Sequence, residues 1–301
     1  MPALNERLAL VSICTQEHRD GMNFPQFWAH GKAGSFSVWR WSANSLAEAQ
    51  DLAIKAAMGL AERFKDGQFP PHQGGYYPNR PFREQVLQEF KDLSGQLTAV
   101  VTRNSYGCQV LNTARVMFVD IDLPEPVPKR RGFFASLFGK ADTTLPPLSD
   151  HSAALAKVEA WTRANPAWGW RVYRTRAGLR LLAVQAPVAP ESDAANGVFE
   201  ALGADPLYRT LCKTQKCYRA RLTPKPWRCG VFAKPKRWPW LTERDKTRFE
   251  KWEAQYRSFS GEWATCEFLQ HIGNATVHPE VAKVIQFHDE ATRVHSNLKL
   301  A

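Results

Sequence analysis

What this chain lacks narrows its possibilities first. It contains no run of about 18 apolar residues, so no segment is long and apolar enough to cross a bilayer as a helix. Cysteine is sparse. Cys14, Cys108, Cys212, Cys217, Cys229 and Cys266 lie at irregular spacings in a chain too large to need disulfide staples, and reduced thiols are expected. Cys212, Cys217 and Cys229 also lack the tight paired spacing of a structural zinc site, and no histidine shares their segment. The apolar stretch from Leu8 to Cys14 is short, follows an acidic residue and has no positive leader, which argues against a secretory signal and for a cytoplasmic protein. No Gly-rich phosphate loop and no Ser/His/Asp nucleophile pattern appears. His271, His278, His288 and His295 fall in C-terminal segments of helical pattern, where solvated or core roles are expected.

What is present is positive charge. The net charge of +11 favours polyanionic partners, and 301 residues suit one elaborated domain or two closely joined ones. The pattern predicts an α+β fold in three parts. Residues 1–113 form an N-terminal α+β portion. Within it, strands are expected at 7–15, 36–42 and 97–102, an amphipathic helix at 46–64 after Ser45, a loop at 69–81 and a helix at 82–93. Residues 114–241 read as strand (114–121), helix (151–164), a hairpin (168–175 and 179–185), helix (190–202) and a last strand (218–222). That is the order of a split βαβ, RRM-like antiparallel sheet with helices on one face and the other face free. Residues 123–150 interrupt it with prolines, small polar residues and a few basic and aromatic ones, and read as a solvated insertion. Residues 242–272 and 279–295 are expected as charged C-terminal helices, with Gly261 a break.

Three constellations carry chemistry. Asp120 and Asp122 end an apolar strand two residues apart, so both share one face and could hold Mg²⁺ or Mn²⁺; the plainer alternative is a pair that caps the following loop. Arg174, Thr175, Arg176, Gly178 and Arg180 form a hairpin in which Gly178 permits the turn and the cations could grip a triphosphate, against the alternative of a charged surface hairpin. Residues 207–240 hold ten Lys and Arg, no Asp or Glu, and six Tyr, Phe and Trp. Cations interleaved with flat aromatic faces suit single-stranded DNA, RNA or a nucleoside triphosphate, and Lys213, Arg219, Arg221, Lys225, Trp227 and Arg228 are the candidate contacts. On a strand, Arg219 and Arg221 would share a face and clamp phosphates together.

The apolar strand ending in Asp120 and Asp122, followed by Thr175 and Gly178 in a tight turn, resembles the archaeo-eukaryotic primase, or primase-polymerase, superfamily. Arg180 stands where that family has a histidine, and Asp205 is the nearest match to its third acidic position. The resemblance spans about a third of the chain and implies an RRM-like sheet, catalytic roles for Asp120, Asp122 and Arg180, and a divalent metal on the two aspartates. Two functions stay open: a metal-dependent nucleotidyltransferase, or a catalytically silent binding module of the same ancestry. A third is a basic structural protein whose arginines pair with the acidic C-terminal helices.

Overall fold

The protein is described by a computed structural model over residues 21–67, 81–123, 148 and 150–301. The strand expected at 7–15, nearly all of the 69–81 loop and nearly all of the 123–150 insertion lie outside these residues.

Strands β1 (Phe27–Ala33) and β2 (Phe36–Ser42) form an antiparallel hairpin that packs against helix α1 (Leu46–Lys65). The Ser45 hydroxyl caps that helix by accepting from the Glu48 amide at 3.1 Å. Ala49, Ala53 and Ala57 make its buried stripe. Small side chains are needed there, because a Cβ on Gly31 would lie 2.2 Å from the Ala53 carbonyl.

The next segment corrects an expectation. Residues 82–93 do not form a helix; β3 (Gln85–Lys91) is a strand paired with β4 (Leu97–Arg103). The Asp92 carboxylate accepts from the Ser94 and Gln96 amides at 2.8 and 3.0 Å and closes a tight turn. Register shifts at Val86/Gln88 and Phe90/Lys91 break the two-residue alternation, so the apolar spacing imitates a helix. Strands β5 (Gln109–Thr113) and β6 (Phe118–Asp122) replace the single strand expected at 114–121, with the Thr113 hydroxyl donating to the Val116 carbonyl at 2.6 Å across the bend.

Helix α2 (Ser152–Ala164), the hairpin β7 (Gly169–Thr175) and β8 (Gly178–Ala183), and helix α3 (Asp193–Leu202) follow as expected. A helix not foreseen, α4 (Pro206–Gln215), starts the basic segment; Asp205 caps it and Pro206 occupies its first position. Strand β9 (Tyr218–Arg221) then adds to β5, giving the sheet β3-β4-β5-β9, rather than completing the sheet that holds β6. After helix α5 (Glu243–Ser260), the helix expected through residue 272 stops at Gly261. A short strand β10 (Trp263–Ala264) leads into β11 (Cys266–Gly273), which takes the fourth place in the sheet β11-β7-β8-β6. Helix α6 (Pro279–Thr292) and β12 (Lys299–Leu300), parallel to β10, end the chain.

The result is mixed α+β with two four-stranded antiparallel sheets around one core. The sheets meet where β6 runs beside β9. The Tyr208 hydroxyl donates to the Phe118 carbonyl at 3.2 Å and accepts from the Arg219 amide at 3.3 Å, so α4 stitches the two edges. Every residue of β8 is buried, which requires cover on both sheet faces. Val119, Ile121, Leu179 and Leu181 turn toward a core shared with Val158 of α2 and Phe199 of α3. On the opposite face α6 lays His288 against Phe118 and Tyr173, with ring centroids 5.4 and 4.9 Å apart. The face expected to be free is therefore roofed at its centre. Among the described residues no helix is long and apolar enough to cross a membrane.

Gly178 is where β6 and β8 come closest: a Cβ there would sit 2.0 Å from the Ile121 carbonyl oxygen. Gly178→Ala is expected to cost about 1–3 kcal/mol in denaturant unfolding. Gly197→Ala, in α3 with nothing within 4 Å of the added carbon, should instead gain roughly 1 kcal/mol. Equal effects of the two changes would contradict the close strand contact.

Candidate nucleic-acid interface

Asp120 and Asp122 share the α6 side of β6, as their spacing requires, but their surroundings differ. Asp120 lies opposite Arg180 in the β6–β8 register. Arg180 donates from Nε to Asp120 Oδ1 at 2.8 Å and from Nη2 to Oδ2 at 3.0 Å, a bidentate pair. Its Nη1 donates to the Arg221 carbonyl at 2.9 Å and lies 3.5 Å from His288 Nε2. Arg180 is only 2% exposed. Burial opposes its charge, but Asp120 and the Cys266 sulfur outweigh that and hold its pKa above the usual value. The residue expected to grip a triphosphate is thus a buried counterion, a correction whose cause is the cross-strand carboxylate.

Asp122 stands exposed at the end of the strand, and Asp205 is close enough to act on it. Thinned hydration, then the like charges of Asp120 and Asp205, push its carboxyl up; Lys225 and Arg221 pull it back down. Asp205 is held as the cap of α4, accepting from the Leu207 amide at 2.8 Å. With Asp120 paired bidentately to Arg180, a metal on the Asp120–Asp122 pair would face the guanidinium's positive charge at close range. Among the described residues no group of three or more His, Cys, Asp or Glu is arranged to hold a metal ion.

Beyond Arg221 the chain enters a stiff turn. The Leu222 amide donates to the Gln109 carbonyl at 2.8 Å, the Thr265 hydroxyl donates to the Leu222 carbonyl at 2.9 Å, and the Tyr256 hydroxyl donates to the Pro224 carbonyl at 2.6 Å. Residues Pro226–Arg228 form a single 3₁₀ turn in which the Arg228 and Cys229 amides donate to the Lys225 and Pro226 carbonyls at 2.8 and 3.2 Å, and the Val231 amide donates to the Pro226 carbonyl at 2.8 Å beyond it. Trp227 is 41% exposed on this support. The Lys225 ammonium lies 5.5 Å from the centroid of its ring. Tyr106, 42% exposed, meets the same ring edge-on at 5.3 Å. Tyr106 is itself fixed in a turn where the Asn104 side chain accepts from the Tyr106 and Cys108 amides. Burial, with Arg221 and Arg228 nearby, lowers the Lys225 pKa to about 8. Arg221 Nε is buried without a hydrogen-bond acceptor.

The remaining expected residues divide. Lys213 is exposed on α4, while Arg228 is buried beneath the 3₁₀ turn. Thr175 donates its hydroxyl to the Gly178 carbonyl at 3.2 Å, a turn-closing role. Arg174 alternates to the face opposite Thr175, so these two do not converge, and Arg176 lies in the turn itself. Arg219 is a second correction. Its Nη2 donates to both Glu84 oxygens at 2.8 and 2.9 Å, both residues are under 10% exposed, and the guanidinium lies 4.7 Å from the Phe82 ring centroid. A phosphate clamp of Arg219 with Arg221 does not exist, because the strand face that carries Arg219 is covered.

Glu84 and Tyr106 were missed in the sequence, and a third grouping involves His288, for which a solvated or core role was expected. Glu84 gives no local sign of its partner, 135 residues away. Tyr106 could have been found as an aromatic in an Asn-x-x-Gly turn. His288 and Asp289 form, with Cys266, what looks like a nucleophile set: Cys266 Sγ is 4.0 Å from His288 Nε2, and His288 Nδ1 is 3.0 Å from Asp289 Oδ1. Neither Cys266 nor His288 has exposed surface, and burial pushes the thiol up to about 11 and His288 down, so these groups pack the core. Against known proteins, the chain matches no family model, no curated protein and no solved structure.

Removing Arg219 leaves a buried carboxylate alone, so Arg219→Ala is expected to cost about 3–5 kcal/mol in chemical unfolding, while the paired change Arg219→Met with Glu84→Leu recovers most of it. An Arg219→Ala protein as stable as the parent would break this assignment. Asp122 gives a signed pH test. Its native pKa is raised above the ordinary 3.8, so the native state holds more protons through that window and loses stability as pH climbs across it. Asp122→Asn should therefore melt higher than the parent at neutral pH, with the gap closing as the pH falls to about 4. A gap that is unchanged at low pH would show that the charge on Asp122 is not its source.

Proposed function

We propose that this chain binds single-stranded nucleic acid or nucleotides at the end of the β6–β9 seam, through Trp227, Tyr106, Lys225 and Arg221. The observation that carries this reading is Trp227, held out on a rigid turn with Lys225 5.5 Å from its ring centroid and Tyr106 beside it. Exposing a tryptophan costs hydration free energy unless something covers it, and flat faces beside cations suit bases and phosphates. Arg221, half-buried at the end of β9, adds positive charge beside Lys225 and Asp122. Duplex binding is disfavoured, since paired bases cannot stack on Trp227. The five described cysteines are unpaired thiols, in keeping with a reducing compartment, and the cytoplasm is the location we propose.

A second reading, a metal-dependent nucleotidyltransferase of RRM-like, primase-polymerase type, draws on the β-α-β-β-α order of residues 118–202 and on Asp205 beside Asp122. It would need Mg²⁺ or Mn²⁺ on Asp122 and Asp205, and the Arg180–Asp120 pair stands against it. Calorimetric titration with Mn²⁺, with and without a nucleoside triphosphate, decides between the two: binding lost in Asp122→Asn favours the enzyme.

The binding reading is tested by fluorescence anisotropy with a short oligothymidylate. Trp227→Ala and Lys225→Ala are each expected to weaken binding by about five- to fiftyfold with an unchanged melting curve. Because unliganded Lys225 deprotonates near pH 8, affinity should fall as pH rises through 8, and Lys225→Ala should remove that step. Full binding by both variants would overturn the proposal.

A further inference from the structure

The Trp227 site does not end at Tyr106. The turn that carries Tyr106 borders, on its other side, a narrow cleft lined by Arg83, Arg103, Gly107, Lys236, Arg237 and Trp238. Four of these are cations, and among the described residues no carboxylate lines the cleft. Two cations have acidic partners behind them. Arg103 pairs with Glu253, and Lys236 lies 3.2 Å from Asp245 while staying about half exposed. Arg103 also lies over the Phe249 ring at 4.7 Å, and the Trp252 indole donates to the Ala233 carbonyl at 2.7 Å, so α5 braces both walls. At the far end the Arg83 guanidinium covers the Trp39 ring at 4.2 Å, and Trp39 meets His30 at 4.9 Å.

We infer that these groups form one track, Trp227 and Tyr106 to Lys236, Arg237 and Trp238 to Arg83 and Trp39, and that its occupant is a single nucleic-acid strand several nucleotides long. The inference rests on the binding reading above and extends it from a site to a path. Cations line the cleft, and the exposed Trp227 and Tyr106 rings flank it, a combination that suits the phosphates and unpaired bases of one strand. An acidic peptide would use the cations but leave the rings idle, and a membrane surface would need the cations on one plane rather than around a turn. The track also joins segments far apart in the chain, β1–β2, the residues before β3, the β4–β5 turn and residues 235–238, so it is a product of the fold and not of one basic stretch.

Anisotropy titrations of the full chain with a thymidine trinucleotide and with a strand of roughly twenty thymidines test it. The wild type is expected to bind the long strand at least about a hundredfold more tightly than the short one, beyond the roughly twentyfold that overlapping registers supply. Arg237→Glu, which keeps the Lys236–Asp245 pair, and Lys236→Ala with Arg237→Ala should each remove most of that gain and leave trinucleotide binding within about twofold. The double change should also lower the salt slope for the long strand by about 1.4, at roughly 0.7 per phosphate contact. A length gain within about twentyfold, or one untouched in both variants, would overturn the track while leaving the Trp227 site standing. Failure of the wild type to bind either strand would overturn both. Polyglutamate of matched charge competing as well as the long strand would overturn the choice of occupant.

Discussion

A guanidinium with almost no contact with water must have its charge met from within, and Arg180 organises this protein around that need. Its donors reach Asp120 on β6, the Arg221 carbonyl on β9 and the vicinity of His288 on α6, with Cys266 of β11 alongside. Leaving such a group unpaired would cost several kcal/mol, so the strands that supply its partners are fixed to one another. One consequence is structural: the two sheets are tied where β6 meets β9, and Tyr208 repeats the tie one turn away. The other is chemical. Asp120 is neutralised by the arginine opposite it, while the end of β9 is placed so that Arg221 and the stiff turn after it face Asp122.

The distribution of charge then separates scaffold from surface. Arg180 and Arg219 contribute little to the outward field, since each pairs with a carboxylate, the half-buried Asp120 and the buried Glu84. Exposed cations of the basic segment include Lys213, Lys234, Lys236 and Arg237, with Lys225 half-buried beside Trp227. Aromatic residues divide in the same way. Trp168 and Trp170 stack at 5.4 Å beside Trp161, and Tyr173 and Tyr218 are fully buried, whereas Trp227 and Tyr106 are held out by turns whose backbones are pinned. Order in the free protein lowers the entropy cost of binding, which is the reason a rigid support for an exposed ring favours recognition.

Local pattern was enough for the elements whose burial is regular. The α1 stripe, the β7–β8 hairpin with its glycine, and α3 between Ser192 and Gly203 could all be read from spacing and caps. It failed where bulges broke the alternation, as in β3, and where a strand followed a charged helix, as in β11. The candidate site was legible to the same degree. Alternation correctly put Asp120 with Asp122 and Arg219 with Arg221, but it says nothing about what covers a face. The covering groups, Arg180 and Glu84, are 60 and 135 residues from their partners, and only the pairing of strands brings them together. The basic, aromatic composition of residues 207–240 pointed to a region; the part we propose to make contact is the short Pro-Lys-Pro-Trp turn, where proline on both sides of Lys225 restricts the backbone.

The central claim is that the contact surface lies at Trp227 and Tyr106 while the Asp120–Arg180 pair stays inside the scaffold. Photo-crosslinking a single strand that carries 4-thiothymidine, followed by peptide mapping, reads that surface directly. The account predicts adducts at Trp227 and Tyr106, with none in the β7–β8 hairpin. Adducts concentrated on residues 171–180, or none at Trp227 and Tyr106 under conditions where the strand is bound, would contradict it.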